Sequence, residues 1–155
     1  MEKEIQVVGF RIGNETFGVR ISLVREIVRL PEITAVPNAP DDIEGVINLR
    51  GKIIPVMDMR VRFNFTAENT DQTCIVVVQV KTAEGKVTQM GLIVDGVEEV
   101  INIGDGDIEP APDFGGQISM EYITGIAKVK GLVKSLLNID AVIGGASNNA
   151  ALAMF

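Results

Sequence analysis

Carboxylates are the residues of this chain best placed to do acid-base or metal chemistry. Asp41, Asp42 and Glu44 form one acidic cluster, and Asp105, Asp107 and Glu109 form another. Carboxylates so placed can divide acid and base roles or hold a hard cation. The second cluster lacks the Asp-x-Asp-x-Asp-Gly register of a calcium loop, and acidic side chains are ordinary residents of solvated turns. Histidine is absent, which removes the commonest general base and the commonest metal ligand. No Ser-His or Cys-His pair can be built, and one cysteine leaves little from which to make a zinc site. That cysteine, Cys74, lies in the strand-like run Thr73-Cys-Ile-Val-Val-Val-Gln79. It reads as a small buried hydrophobe rather than a nucleophile. Neither phosphate-cradling glycine motif is present. These residues call for no metal and no cofactor. The enzymatic alternative is a small β-barrel hydrolase using Asp42 or Glu44.

The chain has 155 residues and a formal net charge of −7. That charge opposes a nucleic acid as main partner, because such binding rests on lysine and arginine neutralising phosphates. With no Trp and one Tyr, the aromatic platforms of a single-strand-binding double barrel are missing too. No apolar run reaches the roughly 18 residues of a membrane span, and the amino end has neither basic flank nor apolar core of a secretion signal. The expected location is the cytoplasm, without insertion into a membrane.

The elements that must position any site read as strands. Ile5–Ile12 and Thr16–Leu23 flank a turn at Gly13-Asn14-Glu15, and Phe17, Val19, Ile21 and Leu23 alternate with small or polar residues, the period of a half-buried strand. The alternation slips by one near Leu23-Val24, which predicts a bulge. Three prolines between Pro31 and Pro40 predict irregular chain with one short edge strand around Ile33–Val36. Asp41–Glu44 suits the start of a helical turn. Gly45–Leu49 and Ile53–Met57 form a second hairpin, in which Pro55 demands an edge or a bulge. Thr73–Val80, Val87–Val94, Gly96–Ile103, Met120–Val129 and Leu132–Leu137 repeat the plan. Gly104–Gly116 reads as a loop, and residues 144–155 as a flexible end or a short helix.

This plan is a repeat. Gly18, Val24, Glu26 and Ile27 meet Gly91, Val97, Glu99 and Val100 at an offset of 73, and Gly45-Val-Ile-Asn-Leu-Arg-Gly51 meets Gly125-Ile-Ala-Lys-Val-Lys-Gly131 at an offset of 80, with Asp58 opposite Asn138. A module built twice makes a seam, and seams are common binding sites. About ten short strands predict an all-β protein of two five-stranded barrels or sandwiches. The division is expected near Thr66–Thr73, with subdomains at about 5–66 and 73–143.

The segment Gly45-Val-Ile-Asn-Leu-Arg-Gly-Lys-Ile-Ile-Pro-Val-Met-Asp58, with Phe17–Val28, Met90–Ile103 and Gly125–Asp140, resembles the CheW family of bacterial chemotaxis coupling proteins. The resemblance covers residues 5–143 and makes 1–155 a single CheW-like domain. It implies two five-stranded SH3-like β-barrels. It also implies an adaptor role, with the CheA histidine kinase regulatory domain and the cytoplasmic tip of a methyl-accepting chemoreceptor as partners, at membrane receptor arrays. A receptor helix would lie in a hydrophobic groove between the barrels. By position the groove residues are Val8, Ile21, Val24 and Val97, while Glu26 and Arg50 match polar positions linked to coupling. A docking helix needs such an apolar strip with a polar rim. The residues alone leave a second arrangement open, in which Val24 and Val97 each lie inside their own barrel. Arg50 suits either a forked contact to carboxylate or carbonyl or a solvated tip. Asn48 and Gly51 are expected to shape the turn.

Overall fold

A computed structural model describes residues 4–81, 85–110, 122–129 and 132–143. The expected tail at 144–155, the turn residue Glu84 and the hairpin tip Lys130-Gly131 lie outside these. The described chain is mainly β. Its strands are β1 (Glu4–Ile12), β2 (Glu15–Arg20), β3 (Val24–Arg29), β4 (Ile43–Leu49), β5 (Lys52–Asp58), β6 (Cys74–Lys81), β7 (Val87–Val94), β8 (Gly96–Gly104), β9 (Ile108–Glu109), β10 (Ile123–Val129) and β11 (Leu132–Leu137). Two short helices, α1 (Met59–Arg62) and α2 (Ile139–Ile143), follow β5 and β11, and a 3-10 turn, Ile21–Leu23, joins β2 to β3. Asp41–Glu44 does not form the expected helical turn; Ile43 and Glu44 already belong to β4, and the Ile33–Val36 strand shrinks to one bridge between Thr34 and Val46.

The strands form two sheets, one of six strands in the order β8-β1-β2-β11-β10-β9 and one of five in the order β3-β6-β7-β5-β4. The sixth strand of the first is the two-residue β9, which matches the Thr34 bridge of the second. Taking β1 to β5 as the twins of β6, β7, β8, β10 and β11, both sheets have the same order. The twin pairings include the single parallel contact of each sheet, β2 with β11 and β7 with β5. The repeat is therefore structural.

The division between the modules is not where the sequence suggested. Strands on both sides of Thr66–Thr73 share the second sheet, while β1 and β2 join β8–β11 in the first. The two copies have exchanged their first hairpins. Burial on both strand faces explains this. In β1, Val7 packs with Ile103, Ala127 and Leu136 under the first sheet, whereas Val8, Phe10 and Ile12 join a central core with Val76, Val78, Met90 and Leu92 of the second sheet. In β6, Ile75 and Val77 pack beneath their own sheet with Ile47, Ile54, Val56 and Ile93. A hairpin with two apolar faces is satisfied only between two cores, one on each side. Rings of Phe10, Phe17, Phe63 and Tyr122 follow one another through the central layer at centroid spacings of 6.2, 5.6 and 5.9 Å.

The matched glycines permit this packing. A methyl group on Gly18 would collide with Val7, and one on Gly91 would stand 2.7 Å from Ile75, the Val7 twin. Pro55 meets the expectation, since β5 pairs only with β4 there and β7 joins from Val56 onward.

Because each half donates its first hairpin to the other's sheet, a chain cut after Thr66 should yield two fragments that do not fold separately. Mixed, they should regain the β-type circular dichroism of the parent. A cooperative melt from either fragment alone would show that the exchange is dispensable.

Candidate functional site

Where the chain crosses between sheets, the central core comes to the surface. β3 and β8 are the edge strands next to β6 and β1, and each carries a bulge. Val24 pairs with Val78 and Glu26 with Val77, so Arg25 is extra. Val97 pairs with Phe10 and Val100 with Val8, so Glu98 and Glu99 together oppose Gly9. The bulge expected near Leu23-Val24 is thus present. It shifts the strand period, so that Val24 and Ile27 lie on the central-core face, beside Val78 and Val76. Val97 and Val100 do likewise beside Phe10 and Val8.

Val24 and Val97 are half-buried against the central core. They pack against the central core rather than within either separate sheet core. Ile21, on the 3-10 turn, is 37% exposed. Val8 is a correction to the groove list: it is 2% exposed and packed within the core, with no surface to offer a partner. Ile27 and Val100, which sequence reasoning missed, are 44% and 49% exposed and extend the apolar seam. Their offset of 73 was the available signal. An open cleft of about 270 Å³ lies elsewhere, against Gly18, Arg20, Leu23, Leu136 and Ile139, and none of the seam residues lines it.

Polar residues flank the seam on β3. Glu26 accepts from Arg50 Nη2 at 2.8 Å, with the Arg50 side chain 78% exposed and Glu26 largely covered. This contact ties the β4–β5 hairpin tip to the far edge strand of the same sheet. Arg50 takes a left-handed backbone, φ 53°, followed by Gly51 at φ 85°. Asn48 Oδ1 accepts from the Gly51 N–H at 2.9 Å. This bond spans the turn, and Arg50 holds an ion pair although its side chain is exposed.

The second crossing, β7 to β8, is fixed by a buried ionic node absent from the sequence reading. Arg60 forks onto Asp58, with Nε–Oδ1 2.9 Å and Nη2–Oδ2 3.0 Å, and its Nη1 donates to Asp95 Oδ1 at 3.2 Å and to the Glu68 carbonyl at 3.0 Å. Asp95 Oδ2 accepts from the Gly13 N–H at 2.6 Å, tying in the β1–β2 turn. Burial alone would lower the Arg60 pKa; Asp58 and Asp95 outweigh it and hold it above its ordinary value. Asp58 also caps α1 at the Arg60 N–H, as its twin Asn138 caps α2 at Ala141.

A second arginine, Arg62, links twin positions of the two halves. It lies 3.7 Å from Asp42 Oδ2 and donates to Tyr122 Oη at 2.6 Å and to the Val142 carbonyl at 3.2 Å. Asp42, a candidate catalytic carboxylate, is buried beside this cation, while Asp41 and Glu44 are exposed. Glu109 of the other acidic cluster pairs with Lys128 at 2.7 Å. Among the described residues no three of Cys, Asp and Glu converge as metal ligands. Cys74 is half-buried, and burial pushes its thiol pKa up despite the opposing charge of Arg11.

Two stability outcomes follow. Arg60→Met should cost about 3 kcal/mol in urea unfolding, because it strands the buried Asp58 carboxylate and leaves the part-buried Asp95 without its cation. Val24→Asp and Val97→Asp should keep a parent-like melt, whereas Val8→Asp, which buries an unpaired charge, should unfold the chain. Equal melts for the three aspartate variants would contradict the burial order.

Comparison with known proteins gives this architecture its context. The family model for the CheW-like domain matches residues 6–146. The chain is 34% identical over 147 residues to the chemotaxis protein CheW of Rhizobium meliloti, covering 94% of this chain and 92% of that one. It is 35% identical over 134 residues to the chemotaxis protein CheW of Klebsiella aerogenes, covering 86% and 78%. The crystal structure of the scaffolding protein TtCheW from Thermoanaerobacter tengcongensis superposes with a TM-score of 0.83 at 34% identity, covering 94% of this chain and 96% of that one. The chain belongs to the CheW-like family of chemotaxis scaffolding proteins.

Proposed function

We propose that this protein is a non-enzymatic adaptor that couples transmembrane chemoreceptors to a CheA-type histidine kinase. The apolar seam edged by β3 and β8 carries the reading. Four aliphatic residues, the half-buried Val24 and Val97 and the exposed Ile27 and Val100, stand in twin pairs at the margin of the central core. An amphipathic helix from a receptor tip has the apolar stripe and charged flanks that such a seam and rim accommodate. The kinase regulatory domain engages other surfaces, so both partners are held at once. Linking them raises their effective concentration, and a change in receptor shape biases the kinase through differential affinity. The protein acts in the cytoplasm, recruited to receptor arrays; among the described residues no helix is long and apolar enough to cross a membrane.

The decisive experiment is reconstitution of receptor-stimulated kinase autophosphorylation with receptor, kinase and this protein, omitting each in turn. Stimulation that persists without this protein would reject the reading. Val97→Asp should weaken receptor-tip binding by several kcal/mol, since the charge must be desolvated without a partner, while its melt stays close to the parent's. Arg50→Glu should reduce stimulation more than Lys130→Glu, because it breaks the Glu26 contact and sets two carboxylates together. Equal stimulation by the two variants would return Arg50 to the role of an ordinary surface charge, for which an exposed pair is worth about 0–1 kcal/mol.

A further inference from the structure

The two sheet cores differ at several twin positions, and one of these differences places a cation inside. Under the second sheet Ile54 fills the interior, 2% exposed, alongside Val77. Under the first sheet the twin of Ile54 is Lys134, and the residue at the place of Val77 is Gly9. Lys134 points into the same interior as Leu136. Its side chain is only 10% exposed, and its Nζ passes 3.2 Å from where a Gly9 side chain would begin. It reaches across β1 and β2 to Glu98 on β8, 3.4 Å away. An isoleucine fills the same space in the twin, so the fold does not need an ion there. A buried ammonium costs desolvation that a hydrophobe avoids.

The place where Lys134 ends is informative. Glu98 is one of the two bulge residues opposite Gly9, between Val97 and Val100. The bulge is what turns those two valines to one face. On the other edge of the seam, Glu26 lies at the bulge that turns Val24 and Ile27, and Arg50 holds it from the β4–β5 hairpin. Lys134 comes from the twin hairpin, β10–β11. Each bulge is therefore gripped by a cation from the corresponding hairpin, although the two cations do not occupy matched positions.

We propose that Lys134 is a positioning residue: through Glu98 it pins the β8 bulge and so presents Val97 and Val100 to the helix that docks in the seam. The docking half of this proposal rests on the adaptor reading above; the pinning half does not. The test uses the full chain and Lys134→Met, which keeps the stem and removes the charge. In methyl-labelled protein without partner, the Val97 and Val100 methyl signals should shift and the Glu99 amide should exchange at least about tenfold faster, as expected when a local closed state loses a charge-assisted contact. The melting temperature should be unchanged or higher. Binding of a chemoreceptor-tip helical hairpin should fall about tenfold, the equivalent of one such contact. Ile54→Met, the change at the twin position, should leave the β8 signals alone. If Lys134→Met fails to fold, Glu98→Gln reports on the same contact. Unchanged methyl signals and exchange would overturn the pinning, and altered β8 signals with parent-like binding would overturn the positioning role. A parent protein that does not bind the tip at all would sink the adaptor reading, while the free-protein measurements would still decide whether Lys134 pins the bulge.

Discussion

Each copy of the repeat begins with a hairpin that is apolar on both faces, and such a hairpin must lie between two cores. Val7 belongs to one core and Val8, Phe10 and Ile12 to another; Ile75 and Val77 are separated from Val76, Val78 and Val80 in the same way. The chain meets this requirement by exchanging the two hairpins, so it must cross between sheets twice, once after β2 and once after β7. The sheets cannot separate without opening the central core. The crossings also create β3 and β8 as edge strands, and bulges and charges on them are devices that discourage unwanted strand pairing. The same bulges bring Val24 with Ile27, and Val97 with Val100, onto one face of their strands.

The crossings are not held alike. The second is locked by Arg60, whose guanidinium joins Asp58 at the end of β5 to Asp95 in the β7–β8 turn and, through Asp95, to the β1–β2 turn at Gly13. The first passes through the 3-10 turn Ile21–Leu23, which has no buried residue. Local openings draw on regions with few buried contacts, so the first crossing is the softer of the two. The β8 edge follows the buried Arg60 node, whereas the β3 edge is held by its pairing with β6 and by the exposed side-chain contacts Arg50–Glu26 and Arg25–Gln79.

Arg62 shows how a repeat can keep its symmetry in the backbone while losing it in chemistry. The Asp58 N–H donates to the Asp42 carbonyl and the Asn138 N–H to the Tyr122 carbonyl, both at 2.8 Å, so the two corners are the same. The side chains at those corners are a carboxylate and a phenol, and one arginine serves both, by charge at Asp42 and by hydrogen bond and ring face at Tyr122. Its own twin is Val142, whose carbonyl it also binds. A cation here removes the need for two separate solutions.

Local physics made much of this legible in the residues. Strand periods, the bulge near Val24, the constraint at Pro55, the Asn48–Gly51 turn and the ordered repeat all arise within a few residues, or from comparing one segment with another. The resemblance in Gly45–Asp58 pointed to the family. Other features depended on which distant strands meet. The sequence could not say that β1 takes β8 rather than β3 as its second neighbour, because the two copies present matched strands at that place. For the same reason Val8 was indistinguishable from Val24 until pairing put one in the core and the other at its edge. Arg60, Arg62 and Lys134 looked like ordinary basic residues; only the fold brought Asp95, Tyr122 and Glu98 to them across 35, 60 and 36 positions. The sequence by itself determined the elements, their repetition and the family. The tertiary structure decided which faces were left for a partner, because burial is a property of packed pairs and not of single strands.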